Sequence, residues 1–343
     1  MDDRTHEAIT QDSEGEARGG DGAPARYDAV VVGGGAAGLS GALALARSHR
    51  SVLVVDAGAP RNAPAGHVHN YLGREGTPPL ELLAIGRAEV AGYGGEVVAG
   101  RVTAVTRVEG GFRIDRDGEA PVVGRRVLVT TGLADRLPEV DGLAERWGID
   151  VLHCPYCHGW EVRDQQVAIL GTGPMVMHQA LLWRQLTARL TVVRQERFEL
   201  DDDQAERLEA LGVAVVDGPA MAVEVADDRL TGLRLAGGET VPCDAIVVAP
   251  AFDGHGDPLG HLGLEVTEFE VGGAVLGTAV SADPTGLTAV PGVYVAGNVT
   301  NPMDTVIAAA AAGLRTGALI NADLAEEDAV AAVAARRAAV AVG

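Results

Sequence analysis

The sequence predicts an α/β chain with two nucleotide-binding βαβ units, and three observations carry the prediction. An apolar run, a Gly-rich turn, a small-residue helix and a second apolar run follow one another over residues 28–56. The same order returns over residues 166–194. Composition agrees: 47% of the 343 residues are hydrophobic but only 3% aromatic, so small aliphatic side chains must fill the cores, as between parallel strands and flanking helices. The length fits two domains.

In the first unit, Asp28-Ala29-Val30-Val31-Val32 reads as a fully buried parallel strand. It runs into Gly33-Gly34-Gly35-Ala36-Ala37-Gly38 and a helix from Leu39 to Ala46; a second strand, Ser51 to Val55, ends on Asp56. This is the dinucleotide fingerprint in its structural context. Gly33 allows the tight turn, Gly35 lets a pyrophosphate reach the backbone at the helix N-terminus, and Gly38 lets helix and strand pack closely. Asp56, 18 residues beyond Gly38, can accept hydrogen bonds from a ribose.

Arg61-Asn62-Ala63-Pro64 and His67-Val68-His69-Asn70 form a polar loop before a helix expected over 79–93. His67 and His69 are either surface histidines or part of a pocket lining. Short β-runs follow over 102–106 and 112–115, turned at Gly110-Gly111. Arg126 to Thr131 is another buried strand ending at Gly132, and residues 133–150 suit a crossing between domains.

Cys154-Pro155-Tyr156-Cys157-His158-Gly159-Trp160-Glu161 contains two of the three cysteines. A structural zinc would need two more soft ligands at comparable spacing, and only Cys243 remains, so no metal is expected. The other readings are a pair of buried thiols and a redox dithiol, and the surrounding units favour the dithiol. Cysteines at this spacing on a helix N-terminus meet disulfide geometry, and the helix dipole would favour the thiolate. Cys154 and Cys157 are thus the candidate catalytic pair. His158 is either their acid/base or a histidine that only caps the helix or packs. Cys243 reads as an inert thiol.

The second unit has Gln166 to Leu170, then Gly171-Thr172-Gly173-Pro174-Met175-Val176, a long helix, and Leu190 to Arg194. Gly33 to Asp56 and Gly171 to Arg194 both span 23 residues. Val176 stands where the third Gly is wanted and should push helix from strand. Arg194 could take a 2′-phosphate, which Glu196 would repel. NADPH is therefore possible but doubtful, the alternative being a domain that only shapes the substrate pocket. Residues 205–250 read as helix, strand, hairpin and strand, and 251–280 as Gly-rich. Val293 to Asn298 is a strand running into a turn, 308–322 an Ala-rich helix, and the last twenty residues a second helix or a frayed tail.

Bulk properties narrow the partners. A net charge of −21 argues against nucleic acid and anionic membrane surfaces. Residues 1–26 read as a disordered tail with no signal-peptide core, and no stretch reaches the roughly 18 apolar residues of a membrane span. Three cysteines without an export signal point to the cytoplasm.

Over residues 27–322 the chain resembles the low-molecular-weight thioredoxin reductases. The marks are the first fingerprint, Val129-Thr130-Thr131-Gly132, the C-x-x-C, the second fingerprint, and Val293-Tyr294-Val295-Ala296-Gly297-Asn298. The resemblance implies two Rossmann-like domains: a discontinuous FAD domain of 27–133 and 250–322, and an inserted NADPH-type domain of 134–249 carrying the dithiol, with 323–343 as C-terminal helix or tail. It implies FAD held by Gly33, Gly35, Ala36, Ala37, Gly38, Asp56, Ala57, Gly58, Arg61, Asn62, Val102, Thr131, Gly132, Gly297, Asn298, Thr305 and Val306, and a homodimer. Three departures stand out: His158 replaces an acid, Asn298 replaces an acid, and Arg194-Gln195-Glu196 replaces the usual 2′-phosphate-binding His-Arg-Arg run. The whole run from Cys154 to Glu161 looks most like the dithiol oxidase branch, which closes disulfides in small natural products such as holomycin and gliotoxin and passes electrons to dioxygen. A thioredoxin-disulfide reductase using NADPH and a non-catalytic flavin redox sensor are the alternatives.

Overall fold

The structure is a computed structural model and describes residues 23–173, 175–195 and 200–342. Most of the expected tail, Pro174 of the second Gly-rich turn and Glu196 lie outside the described residues.

The first apolar runs become β1 (Arg26–Val32) and β2 (Val52–Asp56), joined by α1 (Ala36–Arg47). Then come α2 (Pro79–Gly92), β3 (Glu96–Ala99), β4 (Val102–Val108), β5 (Gly111–Arg116) and β6 (Glu119–Val129). The strands form one sheet in the order β3-β2-β1-β6-β5-β4. Its parallel centre pairs Val30 with Leu53 and with Val127. Valines occupy nearly every central position, and burial on both faces explains why these strands read as unbroken apolar runs.

The chain leaves this sheet through β7 (Leu133–Arg136) and reaches β8 (Val151–Leu152) and the single turn α3 (Pro155–His158). The second unit is β9 (Val167–Gly171), α4 (Val176–Trp183) and β10 (Leu190–Arg194), followed by α5 (Asp202–Ala210) and β11 (Ala214–Asp217). The expected long helix after the second fingerprint has only eight residues. Next are β12 (Ala220–Ala226), β13 (Arg229–Leu235), β14 (Thr240–Pro242) and β15 (Ala245–Val248). The second sheet is wholly parallel, ordered β11-β10-β9-β15-β8.

The chain returns through β16 (Ala251–Gly254), which runs antiparallel to β7, pairing Ala251 with Arg136 and Gly254 with Leu133. Residues expected only to be Gly-rich form a hairpin here, β17 (Val266–Val271) and β18 (Ala274–Val280), that widens this connection into a four-stranded sheet. β19 (Val293–Val295) then adds to β6, with Tyr294 beside Leu128.

The final helix, α6 (Val306–Val342), is one piece of 37 residues. The expected division near Ala322 does not occur, because the sequence beyond it is Ala-rich and contains neither Pro nor Gly until the last residue. α6 crosses α1 at glycines: a Cβ on Gly313 would lie 1.9 Å from the Ala37 carbonyl oxygen. Asp323 ties it to the sheet, accepting from Arg126 Nε at 2.6 Å and from the Tyr294 hydroxyl at 2.8 Å. Among the described residues no helix is long and apolar enough to cross a membrane.

Candidate active site

β8 delivers the chain into the dithiol turn. Cys154 caps α3, Pro155 occupies its first turn, and the N–H groups of Cys157 and His158 donate to the Cys154 carbonyl at 3.1 and 3.2 Å. Cys154 and Cys157 form a disulfide with Cα atoms 5.2 Å apart. The expected dipole effect is reduced, because a four-residue helix sums few peptide dipoles. Stabilisation of a thiolate must come from side chains. The aromatic rings of Tyr156 and Trp160 stand 65% and 66% exposed beside the disulfide. Arg163 lies over the Trp160 ring, 4.1 Å from its centroid.

His158 follows directly. Both its ring nitrogens are buried and neither has a hydrogen-bond partner, which is rare for a purely structural histidine. A capping role is therefore not what the ring performs. Burial lowers its pKa, and Glu161 partly opposes this. A neutral ring at pH 7 can accept a thiol proton.

His153, on the other side of Cys154, carries no motif signal in the sequence. It packs edge-on against Phe252 of β16, centroids 5.8 Å apart, and burial pushes its pKa down to about 4. Arg61 lies over the same Phe252 ring and grips Asp135 of β7 through two hydrogen bonds of 2.7 and 2.6 Å. The dithiol segment thus leans on both connecting strands. The loop of His67 to Asn70 closes the remaining side, where Asn70 Nδ2 donates to the Tyr156 carbonyl at 2.6 Å.

The first fingerprint has the shape its glycines were expected to give. Gly33 has φ +107°, and a Cβ on Gly38 would lie 1.9 Å from the Gly33 carbonyl oxygen. A Cβ on Gly35 would meet nothing within 4 Å, so the backbone at the N-terminus of α1 is open to a ligand. Asp56 Oδ1 accepts from the N–H groups of Gly34 and Gly58, at 3.2 and 3.3 Å, which sets the carboxylate at the end of β2. These features fit FAD: a bare helix N-terminus for the pyrophosphate and an acid for the ribose.

Other expected FAD contacts fall around this centre. Ala36 and Ala37 begin α1, Ala57 is exposed beyond Asp56, and Asn62 follows Arg61 in its loop. Thr131 donates to the His255 carbonyl at 2.6 Å, and the His255 N–H donates to the Gly132 carbonyl. Gly297, at φ +75°, approaches α1 so closely that a Cβ would sit 2.9 Å from that of Ala37. Thr305 and Val306 stand at the start of α6. The Val102 side chain is buried in the core. Asn298 turns inward, its amide donating to the carbonyls of Asn301, Pro302 and Asp304. Here it shapes its own loop.

The second fingerprint is as open at Gly173 as the first is at Gly35: a Cβ there would meet nothing within 4 Å. Val176 does not push α4 away; it is 2% exposed and packed in the core with Ile169 and Ala180. Arg194 is held by Asp217 on the neighbouring strand, and Gln195 is engaged with Ala220. Cys243 is 1% exposed, with burial pushing its thiol up to about 12. Among the described residues no cluster could hold a metal ion.

Known proteins place this architecture. Residues 27–313 match the family described as pyridine nucleotide-disulphide oxidoreductase. Thioredoxin reductase sirT of Leptosphaeria maculans is 30% identical over 315 residues, covering 87% of this chain and 94% of that protein. The crystal structure of HlmI superimposes with a TM-score of 0.83 at 42% identity, covering 92% of this chain and 97% of that one. An oxidoreductase from Agrobacterium tumefaciens gives 0.80 at 32% identity, covering 87% and 98%. The chain therefore belongs to the pyridine nucleotide-disulphide oxidoreductase family and is an FAD-dependent oxidoreductase of thioredoxin reductase-like fold.

Proposed function

We propose that the protein oxidises a small-molecule dithiol to its disulfide through Cys154 and Cys157, with dioxygen as the final acceptor. The observation that carries this reading is the Cys154–Cys157 disulfide flanked by His158, a buried base without a partner. A substrate thiolate attacks Sγ of Cys154; the bond to Cys157 breaks, and a mixed disulfide forms. The second substrate thiolate attacks the substrate sulfur of that mixed disulfide. Cys154 leaves as thiolate and the product departs as a disulfide. His158 takes the proton from the incoming thiol, since its unpaired nitrogens face no competing donor. The Gly33–Gly38 turn and Asp56 would hold FAD, which when bound would supply the two-electron acceptor for the reduced Cys154–Cys157 pair, with dioxygen taking the electrons and two protons as hydrogen peroxide.

The segments 27–133 and 250–322 are assigned to FAD, and 134–249 to carrying the dithiol. The pairing of Arg194 with Asp217 weighs against an NADPH-driven thioredoxin reductase. By resemblance the enzyme acts as a cytoplasmic homodimer, which sedimentation would test. The chemical test is Cys154→Ser: the variant keeps FAD and loses dithiol oxidation, with peroxide production falling to background. Undiminished turnover by that variant would remove the dithiol from the mechanism.

A further inference from the structure

The loop from His67 to Thr77 holds a set of contacts that the redox chemistry does not use. Val68 and Thr77 form an isolated β-bridge, and the Gly76 N–H donates to the Val68 carbonyl at 3.0 Å, so the loop is closed at its base. Inside it, one carboxylate organises two neighbours. Glu75 Oε1 accepts from His69 Nδ1 at 2.6 Å, and Oε2 accepts from the Asn70 N–H at 2.8 Å. Asn70 sits at φ +57°, a left-handed conformation that Asn tolerates better than most residues.

This geometry aims both residues outward at the dithiol turn. Asn70 Nδ2 donates to the Tyr156 carbonyl at 2.6 Å. His69 Nε2 lies 3.3 Å from Glu161 Oε1, within ion-pair range but without hydrogen-bond alignment. Tyr156 lies between the two cysteines, and Glu161 follows the turn. Two contacts therefore join an element of the first sheet's half of the chain to both ends of the turn. Tyr156 and Asn70 are 86 residues apart in sequence, so the join is wholly tertiary.

We propose that His69, Asn70 and Glu75 are positioning residues that clasp the Cys154–Cys157 turn to the FAD-binding half of the molecule. Glu75 presets the loop, Asn70 fixes the height of the turn through the Tyr156 carbonyl, and His69 draws Glu161 toward the same loop. Glu161 is in turn the group whose charge opposes the burial of His158, so the clasp also sets the surroundings of the base. The inference rests on the dithiol reading for its functional meaning, but its geometry does not depend on any substrate.

Amide hydrogen exchange tests it directly, in FAD-loaded and FAD-stripped protein. In His69→Ala/Asn70→Ala, the amides of Cys157, His158 and Gly159 should exchange about tenfold faster while those of β9 stay unchanged. In anaerobic single turnovers with dithiothreitol, the plateau rate of flavin bleaching should fall about tenfold with half-saturation unchanged, because the turn is misplaced rather than the substrate lost. His69→Gln, which keeps a polar side chain of similar reach beside Glu161, should recover part of that rate. Unchanged exchange at the turn overturns the clasp. Should the double variant loosen β9 as well, Glu161→Ala decides between the outcomes: a local rise in exchange upholds the clasp and none overturns it. Exchange needs no substrate, so failure of the dithiol oxidase reading would appear separately, as absent bleaching in the unaltered protein.

Discussion

The two βαβ units share strand order and internal spacing, yet they differ at the end of the second strand, which carries Asp56 in the first unit and Arg194 in the second. Both turns are open, since a Cβ on Gly35 or on Gly173 would meet nothing within 4 Å, and in the first unit Asp56 is set at the end of β2 by two backbone donors and by Arg87. In the second, Val176 fills the helix–strand junction, α4 stops after eight residues, and the cation at the end of β10 is held by Asp217. The difference teaches that one fingerprint spacing can end on groups of opposite charge. Packing needs the apolar runs and their register; ligand binding also needs empty space and uncommitted polar groups.

Substitutions sharpen this contrast. The largest effect is expected at Gly38, where a Cβ would meet the Gly33 carbonyl at 1.9 Å. Gly38→Ala should lose FAD and several kcal/mol of stability, read by flavin absorbance and by thermal melting. Gly35→Ala should also lose FAD, by about tenfold or more in affinity, yet melt as the FAD-free parent does, because its Cβ enters open space. Equal melting losses in both variants would break the distinction between packing and ligand glycines.

A moderate effect is expected on acidification. His153 and His158 are both held below their ordinary pKa of 6.5, chiefly by burial. The unfolded chain therefore binds protons that the folded one refuses. The stability present above pH 6.5 is lost as pH falls toward about 4, on the order of 3 kcal/mol for His153 as an upper bound. A melting temperature that stays flat from pH 7 to pH 5 would contradict these burials. The smallest effect is expected at the second unit: Asp217→Ala should strengthen NADPH binding only a few-fold, measured by fluorescence titration, because it releases a single cation for a phosphate.

Much of this was legible in the sequence. Buried parallel strands announce themselves as unbroken Val and Ala runs, and the spacing of Gly33, Gly35 and Gly38 foretold the backbone geometry of the turn. The C-x-x-C declared a disulfide. What was not legible depends on contacts between distant residues. His69 could be read as surface or pocket until Glu161 was beside it, and nothing near Asn70 in sequence points to Tyr156. His153 gave no motif signal, because its packing against Phe252 joins residues far apart in the chain. The motif position of Asn298 is visible in sequence, whereas the three carbonyls that accept from its amide are not. α4 is shorter than expected because local pattern sets where a helix is allowed and tertiary packing where it ends, whereas α6 runs on because its exposed Ala-rich sequence contains nothing to stop it.

The central claim is that electrons enter at the Cys154–Cys157 pair from a dithiol and leave through the first unit. The most direct measurement is the visible absorption of the FAD-loaded enzyme under anaerobic conditions, titrated first with NADPH and separately with a small dithiol, then exposed to air. The account predicts slow or absent bleaching with NADPH, rapid bleaching with the dithiol, and full recovery in air with one peroxide formed per dithiol. Rapid bleaching by NADPH with none by the dithiol would contradict it.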